Sequence, residues 1–220
     1  MKHQNKIRIG LIHALEESEE PIRQSFQKLW PNVILNEYSD FQLSIDRANG
    51  LDESRIRSRI IDLGQLAVND HVDAILYTCS AFGDAIDSAK IKFNLPILRP
   101  NESAFRMAIN AESDTNILVT FEPSLELLVN EFQAMSEGLD INIKGHLIKN
   151  ALELLKEDQV QAHNQKIIDA VMMIPSDETV ILGQFSMARA VEQINKDISD
   201  HLVLNTPDAA VTELKELFVS

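Results

Sequence analysis

The chain has 220 residues, with 34 Asp and Glu against 20 Lys and Arg and a formal net charge of −14. That balance leaves no basic footprint for nucleic acid, and no apolar run approaches the ~20 residues a membrane-spanning helix needs. A single cysteine cannot close an internal disulfide, and the amino end carries no signal-peptide apolar region, so a reducing, cytoplasmic setting is expected.

The chain opens with a strand expected over residues 7–14 and a helix over 19–30. Glu16, Glu17, Glu19 and Glu20 gather before Pro21, and negative charge and an early proline both suit a helix start. A strand over 33–38, a helix over 53–68, a strand over 74–78, a helix over 84–92 and a short strand over 97–99 follow. Next come strand 116–120, helix 124–135, strand 142–147, helix 151–173, strand 179–183, helix 187–196 and strand 201–204. Strands that are almost continuously apolar and alternate with amphipathic helices predict a parallel α/β fold. Leu152, Leu154, Leu155, Met172 and Met173 read as core-facing helix positions.

A weak internal repeat runs through this pattern. Residues 73–80 (DAILYTCS) and 179–186 (TVILGQFS) both carry an apolar strand into a helix start, about half a chain apart, and match Cys79 with Gln184. Two similar α/β halves account for this, and so does chance likeness between buried strands.

Cys79 stands where the apolar run gives way to small polar residues. In a parallel sheet that is the carboxyl end of a strand, where ligands gather. A helix starting near residues 81–84 would direct amide groups and its positive end at the thiol and lower its pKa. The alternative is a small buried hydrophobe. His13 ends the first strand, either in a pocket or as a satisfied strand-end histidine. No pair among His3, His13, His71, His146, His163 and His201 has zinc-site spacing, so no metal is expected; His71 and His201 read as surface residues. Glycine-rich phosphate loops and the Gly-x-Ser-x-Gly elbow are both missing. Ser44 and Arg47 read as a solvated loop or helix face, with a carboxylate clamp as the alternative for the arginine.

Thr78-Cys79-Ser80 after an apolar strand, and residues 181–187 (ILGQFSM), resemble two signatures of the aspartate/glutamate/hydantoin racemase superfamily. That group also holds maleate isomerases and arylmalonate decarboxylases. Residues 96–97 with 101–104, 117–120 and 205–211 echo it further, in the same order. The resemblance implies two similar parallel-sheet α/β domains related by a pseudo-two-fold axis, with an active-site cleft between them. They would comprise residues 1–98 plus 205–220, and residues 99–204. It also implies cofactor-independent proton chemistry on a small carboxylate-containing substrate, of racemase or isomerase type. Cys79 would be catalytic, Thr78, Ser80 and Thr120 would hold the substrate carboxylate, and His13 and Phe185 would line the pocket. Gln184 stands where the family has its second catalytic cysteine, and an amide is no acid or base near neutral pH. A decarboxylase-like lyase and a non-catalytic small-molecule binder are therefore the alternatives. A homodimer, the commonest soluble assembly, is compatible with all three.

Overall fold

Strands covered on both faces pair in parallel, with helices as the crossovers. The computed structural model describes residues 6–198 and 200–219. The chain divides into two compact units, one holding residues up to Pro100 and those from Ala210 on, the other Asn101–Ala209.

The first unit begins with β1 (Arg8–His13), buried from Ile9 onward. Helix α1 (Glu19–Leu29) has Glu19 and Glu20 in its first turn and buries Ile22 and Phe26. Strand β2 (Ile34–Ser39) and a short helix α2 (Gln42–Ala48) follow. Helix α3 (Glu53–Asn69) is capped by Asp52, whose side chain accepts from Ser54 N–H. It buries Ile56, Ile60, Gly64 and Ala67, a stripe at helical spacing. Gly64 is dictated by packing: a Cβ there would lie 2.7 Å from Tyr77 Oη and 2.8 Å from Phe93 Cε2. Strand β3 (Ala74–Tyr77), helix α4 (Gly83–Lys92) and the two-residue β4 (Ile97–Leu98) complete a sheet ordered β2-β1-β3-β4.

The second unit starts with α5 (Glu102–Asn110), then β5 (Thr115–Val119), α6 (Pro123–Met135) and β6 (Ile143–Leu147). The helix expected over 151–173 is two: α7 (Ala151–Lys156) and α8 (Val160–Met172). Asp158, at φ 58, breaks them, and aspartate is one of the few residues that accept the left-handed region. Met172 and Met173 are 63% and 85% exposed, not core-facing. The stripe α8 buries, His163, Ile167, Ile168 and Val171, ends just before them. Strand β7 (Thr179–Leu182), helix α9 (Val191–Asp197) and β8 (Val203–Asn205) close a sheet ordered β6-β5-β7-β8. Helix α10 (Thr206–Phe218) starts in this unit, with Thr206 Oγ1 donating to Leu182 O. Its later turns belong to the first, where Phe218 stacks on Trp30 and Lys215 Nζ donates to Leu29 O.

Both sheets are wholly parallel and share one strand order, so the repeat in the sequence is a repeat of architecture. Helices α2, α5 and α10 are additions to the pattern expected from periodicity, the last beginning within the 205–211 stretch marked by the resemblance. Among the described residues no helix is long and apolar enough to cross a membrane.

Candidate active site

In each sheet the chain leaves the first strand toward one neighbour and later returns on its other side. Such a switch point leaves an opening at the carboxyl ends of the two central strands, where open α/β sheets bind ligands. In the first unit those ends are His13 and Thr78-Cys79, and in the second they are Thr120 and Gln184. The registers match. Thr78 N–H donates to Ile12 O at 3.0 Å, and Gly183 N–H donates to Leu118 O at 2.9 Å. Cys79 and Gln184 each come next, both extended (φ −125, ψ 121 and φ −137, ψ 142), and each enters a 3-10 turn, Ser80–Phe82 and Phe185–Ala190. They are equivalent positions of two similar units.

Cys79 is 7% exposed and belongs to the hydrophobic cluster that includes Phe82, Ala85 and Ile86. Ala81 N–H donates to its sulfur, as a turn after the strand should allow, and Arg47 adds a favourable charge. Burial outweighs both. The thiol is pushed up from its ordinary 9 to about 11, opposite to the lowering expected from a helix start. Between pH 9 and 11 the unfolded chain loses this proton while the folded chain keeps it. Stability conferred at Cys79 should thus be complete below pH 9 and decline, by up to about 2–3 kcal/mol, as pH rises to 11. Denaturant titrations of wild type and Cys79→Ala check this: their difference in unfolding free energy should narrow over that window. A constant difference would mean an ordinary thiol.

Thr78 is turned inward. Ser18 Oγ donates to Leu15 O (2.7 Å) and Thr78 Oγ1 to Ile12 O (3.1 Å), which engages both hydroxyl protons. His13 Nδ1 lies 3.0 Å and Ser18 Oγ 3.1 Å from Thr78 Oγ1, and the imidazole tautomer sets whether Nδ1 donates or accepts. The imidazole is fully buried, burial lowers its pKa, and Nε2 is buried with no hydrogen-bond partner among the described residues. His13 and Thr78 thus brace the end of β3, and Ser80, half-buried, opens the turn beyond it.

In the second unit, Gln184 Oε1 accepts from both the backbone N–H and the hydroxyl of Thr120, each at 2.7 Å. Two donors on one oxygen fix the amide's orientation and leave Nε2 as the outward donor. Thr120, expected to bind a substrate carboxylate, holds the Gln184 carbonyl. Phe185 is buried, at 3% exposure, and Phe121 is 39% exposed.

Periodicity alone missed α2, and with it the setting of Arg47. Ser44 Oγ donates to Ala14 O, tying α2 to the end of β1, and Arg59 clamps Asp40 and Asp46. Arg47 lies over the Phe82 ring, 5.4 Å from its centroid, with Glu53 as an ion-pair partner. Of the other histidines, His71 is exposed, His201 is half-buried with Nε2–H donating to Ile174 O (2.8 Å), and His3 lies outside the described residues.

Solved structures share this fold over nearly the whole chain. A glutamate racemase from Bacillus anthracis superposes with a TM-score of 0.72 at 14% identity, over 98% of this chain and 82% of that one. The fold is that of the amino-acid racemases. An allantoin racemase from Pseudomonas fluorescens gives 0.72 at 17% identity, over 96% and 90% of the two chains. A mutant arylmalonate decarboxylase gives 0.67 at 11%, over 96% and 92%. No family model matches the sequence, and no curated protein sequence matches it. The racemase fold, resembled in the motifs at Cys79 and Gln184, is thus reached by structure at low identity.

Proposed function

We propose that the chain is a cofactor-independent enzyme of racemase type that handles a proton at a carbon beside a carboxylate, with Cys79 as the acid. The observation that supports this most is the equivalence of Cys79 and Gln184 at the switch-point ends of two like sheets. A two-base racemase needs a titrating group at both places. Here one of them is an amide whose only free function is to donate a hydrogen bond, to a carboxylate or a developing enolate oxygen. That both residues act on one molecule is part of the proposal. The chemistry is then one-faced: Cys79 delivers the proton and Gln184 Nε2 steadies the oxygen, with Ser80 and Arg47 as carboxylate partners on the thiol's side.

A thiol pushed up to about 11 is only ~10⁻⁴ ionised at pH 7, which suits delivering a proton far better than removing one. This favours a lyase within the same reading. A carboxylate leaves as carbon dioxide, the bond's electron pair stays on the α-carbon, and Cys79 protonates that carbon. Water then returns a proton to the thiolate. A racemase or isomerase would have to raise the thiolate fraction on binding substrate.

Malonates, amino acids, hydantoins and maleate in D₂O, followed by NMR, test the reading. Deuterium should enter one face of the α-carbon, with carbon dioxide released where the substrate is a malonate. Gln184→Cys should convert one-face labelling into racemisation by supplying a second thiol. Binding without turnover or labelling for every compound would overturn the enzyme reading in favour of a non-catalytic binder.

A further inference from the structure

The end of β1 holds a second cluster that the thiol chemistry does not use. In the β1–β2 register Leu11 lies opposite Glu37 and His13 opposite Ser39, so His13, Glu37 and Ser39 share one face of the sheet. Helix α1 lays Glu19 and Arg23, one turn apart, over that face. A ring nitrogen of His13 and one oxygen each from Glu19 and Glu37 lie within 4.8 Å of one another. Ser39 Oγ donates to Glu19 Oε1 at 3.0 Å, and Arg23 bridges Glu37 and Glu19, donating to Glu37 Oε1 at 2.7 Å and to Glu19 Oε2 at 3.0 Å.

We propose that His13, Glu19 and Glu37 form a binding site for a divalent transition-metal cation, with the Arg23 guanidinium as its exchangeable stand-in.

Two independent observations meet here. One is the convergence of an imidazole and two carboxylates from three separate elements. The other is the orphaned Nε2 of His13: the ring is fully buried, its Nδ1 is engaged with Thr78, and Nε2, shielded from water, is left with no hydrogen-bond partner among the described residues. With the ring proton on Nδ1, Nε2 offers a lone pair that a cation would satisfy. The donor set, one nitrogen and two carboxylate oxygens, suits zinc, cobalt or manganese and not the all-oxygen preference of calcium. Ligand atoms on a tetrahedral ion at ~2.1 Å stand about 3.4 Å apart, so the two glutamates must close inward modestly. Arg23 is the group that leaves: its side chain is 47% exposed and can swing into solvent, but it forks onto Glu37 and reaches Glu19, so a bound cation has to outweigh a bidentate pair. Three protein ligands leave a fourth position open to water or an anionic ligand. The site stands whether or not Cys79 is catalytic.

The test is a titration of the chelator-stripped full chain with Co²⁺, read by visible d–d absorption and by paramagnetic broadening of the His13 imidazole signals in NMR. One Co²⁺ should bind per chain, be displaced by Zn²⁺, and broaden His13 ahead of the other histidines. Glu37→Gln and Glu19→Gln should each weaken binding roughly 10-fold or more. Arg23→Ala should tighten it, an outcome that diffuse attraction to an acidic surface would not single out. Because His13→Asn risks the fold, the glutamate and arginine variants carry the decision. Equal Co²⁺ affinity in wild type and Glu37→Gln would overturn the proposal. So would no His13 broadening at millimolar Co²⁺ in Arg23→Ala, or a His13 ring already doubly protonated at pH 7.

Discussion

Replacing Cys79 with serine is expected to lower turnover on the responding substrate by roughly 10²–10⁴-fold, the usual contribution of a positioned acid. The change is nearly isosteric at a position 7% exposed, so the fold should persist and near-UV circular dichroism should be unaltered. Ala81 N–H, which donates to the sulfur, can donate equally to a hydroxyl oxygen. What changes is the proton. A hydroxyl in the same apolar cluster releases it far less readily than a thiol pushed up to about 11. Wild-type rates in the serine variant would remove Cys79 from the mechanism and leave only the fold.

The second large effect is structural and sits at the equivalent turn of the other unit. Gly183→Ala should destabilise the chain by about 1–3 kcal/mol, as overpacking in a close-packed core does. A Cβ there would lie 2.9 Å from Leu118 O, a backbone atom of β5, and 2.9 Å from Leu128 Cδ1. Leu128, on α6, can give way only by a side-chain shift in a filled core, and the Leu118 carbonyl cannot step aside without pulling β7 from β5 just where Gly183 N–H pairs with it. Urea titration reads the loss. An alanine variant as stable as wild type would show that the strand end is looser than its packing indicates. Thr78 occupies the matching place in the first unit with a full side chain, so the close approach belongs to the second sheet alone.

Much of the framework was legible before folding. The run of residues 74–78, apolar almost throughout, and its partner at 179–183 announce buried parallel strands because both faces of such a strand are covered. The half-chain match of Cys79 with Gln184 holds in the architecture, with the same strand order and extended backbone at both. The misreadings have local causes. A helix pattern drawn through 151–173 overlooked the left-handed Asp158, and the two methionines at its end lie past the last buried turn. Helix α2 is only seven residues long, so periodicity over so short a span carries little signal.

The structure decided that the half-chain likeness is a doubled α/β plan; by itself the sequence determined the alternation of strand and helix and the placing of a lone thiol and an amide at the ends of two like apolar runs. Those properties follow from the periods at which apolar residues recur, which are local and survive in a one-dimensional string. Only the tertiary structure decided the state of the thiol, because desolvation sums over every neighbour and here exceeds the pull of one amide and one arginine. It alone also showed that Thr120 holds Gln184 and that His13, Glu19 and Glu37 converge. Contacts between strands and the helices laid across them depend on register and packing, and no spacing along the chain encodes them.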